Sequence, residues 1–358
     1  MDRLVASFIE MVRIDSESGE EATFLSYLGK RFANELGAEC LFDSYGNLVA
    51  RLPAMDSNAK APILFGTHGD TVKPGKGIEP VIEGGVIRSA GETILGADDK
   101  AGIAELIEAV RTADRRPPLE IVVTREEELG VRGARHLDTT LLESRIGFVV
   151  DMDALDAVVV GGPSKMSIDI EITGHAAHAA MEPEKGISAI RVAAEGIISL
   201  HEGRVAEGTT VNVGVIRGGE IRNGVPEKAS IQLECRSLSH QTCLDWEHRI
   251  RRAFESAAAS HGADVSMATD LSYRASRVAS NAPAVRAAAA AIESAGLTPD
   301  IRIIVGGTDA SILNARGIET VVIGAGMRNE HTKDEEIEIT AMQTAVRILR
   351  DILEQWAS

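Results

Sequence analysis

At 358 residues the chain is longer than one hydrophobic core usually organises, so two domains are expected. Apolar residues at 44% and charged residues at 25% exclude a disordered chain, and 3% aromatics leave the core to Ala, Val, Ile and Leu. A net charge of −17 with no basic run argues against nucleic acid and against anionic membrane surfaces as partners.

From Met1 the amino terminus reads straight into a helix, without a basic-then-apolar leader, and no stretch reaches membrane-spanning length. Cys40, Cys235 and Cys243 are odd in number and widely spaced, which speaks against a disulfide framework and for a reducing cytoplasm. Residues 1 to about 36 show helical spacing, with the Asp15 to Gly19 stretch separating two helices. Short apolar runs then recur at 61–66, 119–124, 146–150, 301–305 and 320–324. Helical patterns at 101–112 and 282–295 separate several of them. Continuous apolar strands interleaved with helices predict an α/β domain whose mostly parallel sheet is flanked by helices and buried on both faces.

Between roughly 164 and 274 the texture changes. Segments 167–173, 209–216, 228–236 and 264–271 alternate apolar with polar residues, the pattern of an antiparallel sheet wet on one face. With helical segments at 186–201 and 241–260 they predict an inserted α+β domain over 164–274. The α/β domain is then discontinuous, 1–163 and 275–358.

Most residues able to carry chemistry lie just past the apolar strands, where ligands bind in open α/β sheets. His68 and Asp70, two apart on an extended segment, face the same way, and a ligating His usually passes its second ring N–H to a carboxylate. Asp98 and Asp99 stand at a strand-to-helix junction; helix capping accounts for one acid, and Asp98 is read as a carboxylate offering its two oxygens to two cations. Glu126, Glu127 and Glu128 repel one another unless positive charge is near. Metal-assisted hydrolysis needs one carboxylate on the metal and one free to take a proton from water, and periodicity alone does not choose among the three. Asp151 ends another strand, and His331 sits in a polar loop. Two His and three carboxylates suit a zinc pair, with cobalt or manganese as substitutes.

The ordered set His68-x-Asp70, Asp98-Asp99-Lys100, Glu127-Glu128, Asp151 and His331 resembles the M20 metallopeptidase family, closest to its peptidase T-like branch, along nearly the whole chain. The resemblance implies that His68, Asp98, Glu128, Asp151 and His331 hold two metal ions, with Asp98 bridging them and a cis peptide bond after it. It selects Glu127 as the general base that takes a proton from a metal-bridged water, and Asp70 as the group orienting His68. It makes the inserted domain a lid and dimerisation domain, and hence the chain a homodimer. His178, in Gly174-His175-Ala176-Ala177-His178, resembles the lid histidine that stabilises an oxyanion in its own or the partner subunit's site. Arg236 and Asn223 resemble substrate-binding residues of the lid, with a cross-strand ion pair and a plain turn as their simpler accounts. Gly306-Gly307-Thr308-Asp309 resembles a segment near the substrate. Ala179 stands where Gly is common in the family, and Glu126 where Asp is frequent.

A small peptide is the implied substrate, cleaved in the manner of a tripeptidase-like aminopeptidase. The alternatives are an N-acyl-amino-acid deacylase, a carboxypeptidase-like hydrolase and, from another class, a catalytically silent, metal-stabilised dimer that binds peptides.

Overall fold

A computed structural model describes residues 2–59 and 61–357; Met1, where the N-terminal reading begins, lies outside them. Contacts divide the chain into two compact units. The first comprises Met1–Gly161, Arg277–Ile304 and Thr308–Ser358, and the second comprises Gly162–Ser276 with Val305–Gly307.

The first unit is organised by an eight-stranded sheet in the order Glu39–Phe42, Leu48–Leu52, Leu119–Thr124, Ile63–His68, Ile146–Met152, Glu319–Gly324, Ala157–Val159 and Asp300–Arg302. The four central strands, from Leu119–Thr124 to Glu319–Gly324, run parallel. Antiparallel pairing enters toward the margins. Every residue of Ile63–His68 and of Leu119–Thr124 is buried, which explains their unbroken apolar pattern.

Because successive side chains point to opposite faces, each strand feeds two cores. Phe65, Ile121, Val123, Phe148, Val150, Val321 and Ile323 join one cluster, with the helices Arg3–Val12, Ala97–Thr112, Pro283–Ser294 and Ile339–Trp356. The alternate residues Leu64, Val122, Val149 and Val322 pack on the other face with Leu313 and Ile318. Phe148 anchors the first core, stacked on Phe65 at 5.3 Å and meeting the Trp356 ring edge-on at 5.7 Å.

The expected strand 301–305 is shorter than its apolar run. The regular ladder covers Asp300–Arg302 against the three-residue strand Ala157–Val159. Beyond it the pairing thins to the Ile304 N–H donating to the Gly161 carbonyl at 3.1 Å. A small sheet that the sequence pattern did not reveal, Pro80–Glu83, Val86–Ser89, Glu336–Glu338 and Met327–Arg328, holds the loop carrying His331.

The second unit is a five-stranded antiparallel sheet, Gly203–Ala206, Thr209–Gly218, Lys228–Ser237, Ser164–Thr173 and Asp264–Tyr273, with the helices Ala189–Ile198 and His240–His261. Along Ser164–Thr173 every second residue is buried. Met166, Ile168, Ile170 and Ile172 pack there with Ile231, Leu233, Ile250 and Phe254. Gly196 permits the helices to approach closely, since a β-carbon there would lie 2.4 Å from the Phe254 ring. Among the described residues no helix is long and apolar enough to cross a membrane.

Candidate metal centre

The expected site residues of the first unit are delivered by several of its elements. His68 is the last residue of Ile63–His68, and Asp151 is the sixth of Ile146–Met152. Glu127 and Glu128 follow Leu119–Thr124 in a tight turn with Glu126 at φ 48°. Asp98 and Asp99 stand before the regular part of the helix Ala97–Thr112, joined by a cis peptide bond. A β-carbon at Gly102 would lie 2.3 Å from Asp99 Oδ1 and 2.7 Å from the Val150 carbonyl, so glycine lets this helix start press against the strand that carries Asp151.

These groups converge. His68 Nε2 lies 3.0 Å from Asp98 Oδ1 and 3.7 Å from Asp151 Oδ1, and His331 Nε2 lies 3.2 Å from Asp98 Oδ2 and 2.8 Å from Glu128 Oε1. Asp98 therefore stands between the two imidazoles, one oxygen toward each. Among the described residues, donor atoms of His68, Asp98 and Glu128 lie within 4.8 Å of one another, as do those of His68, Asp99 and Asp151. Asp99 also accepts the backbone N–H of His68 at 3.3 Å through Oδ2, while its buried Oδ1 has no hydrogen-bond partner.

Asp70 is fully buried, and its contacts extend beyond His68. His68 Nδ1 is nearer the Asp70 backbone carbonyl, at 3.0 Å, than its carboxylate, at 3.5 Å. The carboxylate accepts the backbone N–H of Glu127 at 2.9 Å, that of Glu128 at 3.2 Å and the Ser18 hydroxyl at 2.7 Å. One carboxylate thus fixes the turn that presents both glutamates. Glu335 does the same for the aspartate loop, accepting N–H groups from Leu95 at 2.8 Å, Gly96 at 2.7 Å and Asp98 at 3.0 Å. Glu21, also buried, holds Arg125 at 3.0 Å and the backbone of Glu126 at 3.1 Å. Ser18, Glu21 and Glu335 were not singled out from sequence. Each is one polar residue in a polar stretch, and only the chain's return through space buries Glu21 and Glu335 and half-buries Ser18.

The electrostatics are those of a crowded acidic cluster. Burial pushes Glu127 well above the usual carboxylate range, aided by the neighbouring Asp151 charge. Burial likewise raises Asp151 to about 6 despite its hydrogen bond with His68. Burial opposes ionisation of Asp98 too, but the hydrogen bonds with His331 and His68 outweigh it and hold Asp98 below its ordinary value. His331 is raised to about 10 by its hydrogen bonds with Asp98 and Glu128. Burial opposes protonation of His68, yet Asp151, Asp70 and Asp98 together raise it well above its ordinary value. So many acids in one place are costly without added positive charge. Imidazole nitrogen and carboxylate oxygen are the donors that zinc, cobalt or manganese accept, so the residues present fit a pair of divalent cations.

Asp309, of the Gly-Gly-Thr-Asp segment, is buried and takes the Thr124 hydroxyl at 2.5 Å. The remaining expected residues lie in the second unit. His178 is exposed on a loop, its Nδ1 accepting the N–H groups of Ala180 and Met181, both at 3.2 Å. With Asn223 it lines a cavity of 890 Å³. Arg236 does not join that lining. It sits at the far end of its strand, bound to Glu234 at 2.9 Å and to the Val305 carbonyl at 3.4 Å.

Comparison with known proteins gives two family matches. Residues 47–186 match the model "Peptidase family M28" and residues 162–262 match "Peptidase dimerisation domain". The uncharacterized protein YqjE of Bacillus subtilis (strain 168) is 33% identical over 368 residues, covering 99% of this chain and 98% of its own. Among solved structures, aminopeptidase PepT from Bacillus cereus ATCC 10987 superposes with a TM-score of 0.91 at 34% identity, covering 100% of this chain and 99% of that one. A tripeptidase from Staphylococcus aureus subsp. aureus Mu50 does so with a TM-score of 0.94 at 31% identity, covering 99% and 98%.

Proposed function

Since the chain belongs to the M20 family of metallopeptidases, in its peptidase T-like branch, we propose that it hydrolyses small peptides as a tripeptidase-like aminopeptidase. The observation that carries this reading is the pairing of Glu127 and Glu128 on one buried carboxylate, Asp70. It supports a reading in which Glu127 stays off the metals beside a metal-holding Glu128, the pairing that amide hydrolysis requires.

In this reading His68, Asp98, Glu128, Asp151 and His331 hold two divalent cations, zinc first, and Asp98 serves both. When bound, the cations polarise the amide carbonyl and make water acidic enough to attack near neutral pH. Glu127 takes the proton of the attacking water at a carboxylate oxygen and later delivers it to the leaving amine nitrogen. Asp70 and Ser18 keep the turn in place, so Glu127 does not need to be ordered during the reaction.

His178, with Nδ1 occupied by two backbone N–H groups, offers Nε2–H to the oxyanion in its own or the partner subunit's site. Arg236 and Asn223 receive the peptide's polar groups. The match to a peptidase dimerisation domain supports a homodimer, and the unpaired cysteines support a reducing cytoplasm.

The test combines metal content per chain with hydrolysis of tripeptides, dipeptides and N-acetyl amino acids, before and after chelation and with zinc, cobalt or manganese restored. Tripeptide cleavage from the amino end, lost on chelation and regained with metal, is expected. Preference for N-acetyl amino acids would move the chain to the deacylases, and a metal-loaded protein inert toward every substrate would make it a silent binding dimer.

A further inference from the structure

We propose that Cys235 and Cys243 form a reversible oxidation site, closed into a disulfide by a hydroperoxide. Cys235 is the eighth residue of Lys228–Ser237, and Cys243 lies in the first turn of the helix His240–His261 that packs on that strand. Both side chains are fully buried in the core of the second unit. Their sulfurs stand 3.9 Å apart, and the Cys243 thiol donates to the Cys235 carbonyl at 3.6 Å. A disulfide needs about 2.05 Å. The sulfurs therefore have to close by about 1.9 Å, within reach of side-chain rotation and a small shift of the helix start.

Cys243 is the attacking thiol. Its place in the first helical turn favours a negative sulfur, whereas Cys235 lies on the strand, outside any helix start. The turn before the helix carries exposed Leu238 and Ser239, so local opening there admits a water-sized oxidant. The Cys243 thiolate attacks the distal oxygen of the hydroperoxide; the O–O bond breaks and the alkoxide leaves with a proton as alcohol, or as water from hydrogen peroxide. Cys235 then attacks the sulfenic sulfur, the S–O bond breaks, and hydroxide departs as water with the Cys235 proton. The thiols lose two electrons and the peroxide gains them.

Closure reaches the next residue. Arg236 is anchored by Glu234 and the Val305 carbonyl, and drawing Cys235 toward the helix displaces it. This consequence rests on the reading of Arg236 as a substrate-binding residue.

The full-length, metal-loaded protein is reduced, exposed to hydrogen peroxide, denatured, alkylated and mapped by non-reducing peptide mass spectrometry, with Cys40 in the first unit as internal control. The expected product is a cross-link between the Cys235 and Cys243 peptides, lighter by two hydrogens, with free thiols falling from three to one and returning with dithiothreitol. Cys235 and Cys243 both alkylated after Cys40 has been oxidised, or sulfinic acid without a cross-link, would overturn the site. A Cys40→Ser chain should give the same cross-link. In the activity arm the KM for a tripeptide rises at least fivefold in the oxidised form and recovers on reduction; full cross-linking with unchanged KM would overturn the coupling to Arg236. Absence of all peptidase activity would strike the proposed function instead, leaving the mass map to decide the disulfide.

Discussion

Replacing Asp70 by Asn separates two jobs that one residue performs. Asp70 is ionised: burial opposes its charge, but His68, the Ser18 hydroxyl and the Glu127 N–H outweigh that and lower its pKa. An Asn in the same place keeps one oxygen and gains an NH2 group. If the oxygen takes the place that serves Glu128 and Ser18, the NH2 group points at the Glu127 N–H. The Glu127 N–H then loses its acceptor. A hydrogen bond to a charged group contributes about 1.5–3 kcal/mol, so kcat/KM should fall roughly 10- to 150-fold. Metal affinity should fall much less, because the nearest partner of His68 Nδ1 is the Asp70 backbone carbonyl, which the substitution leaves intact. Steady-state kinetics on a tripeptide, paired with metal content by atomic emission, read both quantities on one preparation. Metal lost in parallel with activity would refute the assignment of His68 orientation to the carbonyl.

Glu127→Gln should abolish turnover, by about 100-fold or more, with metal content unchanged; a variant that stays fully active removes Glu127 from the role of base. Metal binding should release protons. In the metal-free protein His331 stays protonated up to about 10 and His68 is also raised, so at pH 7 both lose a proton on ligation and affinity climbs with pH. Titration calorimetry in buffers of different ionisation enthalpy measures this, and enthalpies independent of buffer would contradict it. Glu335→Ala strips the acceptor from three backbone N–H groups at about 1–3 kcal/mol each if water does not replace it. The urea midpoint should therefore drop and metal affinity weaken together; an unchanged midpoint would show that Glu335 does not secure the aspartate loop.

How much of this was legible in the sequence depended on the distance over which each signal acts. The apolar runs of the parallel strands and the alternation along residues 167–173 are local, and both sheets follow from them. The structure brings His68, Asp98, Glu128, Asp151 and His331 together; positions near strand and helix ends pointed to most of them, while the choice among the glutamates came from the family resemblance. Ser18 and Glu335 were not legible, because neither has a local signal: their partners are 52 and at least 237 residues away in sequence. The His-x-Asp spacing correctly put Asp70 beside His68, but not its capture of the Glu127 and Glu128 amides, which requires the strand Leu119–Thr124 to end beside Ile63–His68. Residues 301–305 were misjudged in length because a strand's extent depends on its partner as well as on its own composition.

The chain leaves the first unit after Gly161 and re-enters it at Arg277, and the flanking residues Val160 and Val278 share a backbone hydrogen bond of 2.7 Å. To the host sheet, the whole Gly162–Ser276 excursion is a closed loop whose ends already touch. Closure entropy grows only slowly with loop length, so exchanging or enlarging that excursion asks little of the fold that carries the acids. A cassette pinched at one point can change in length or sequence without moving the strand ends that carry His68 and Asp151.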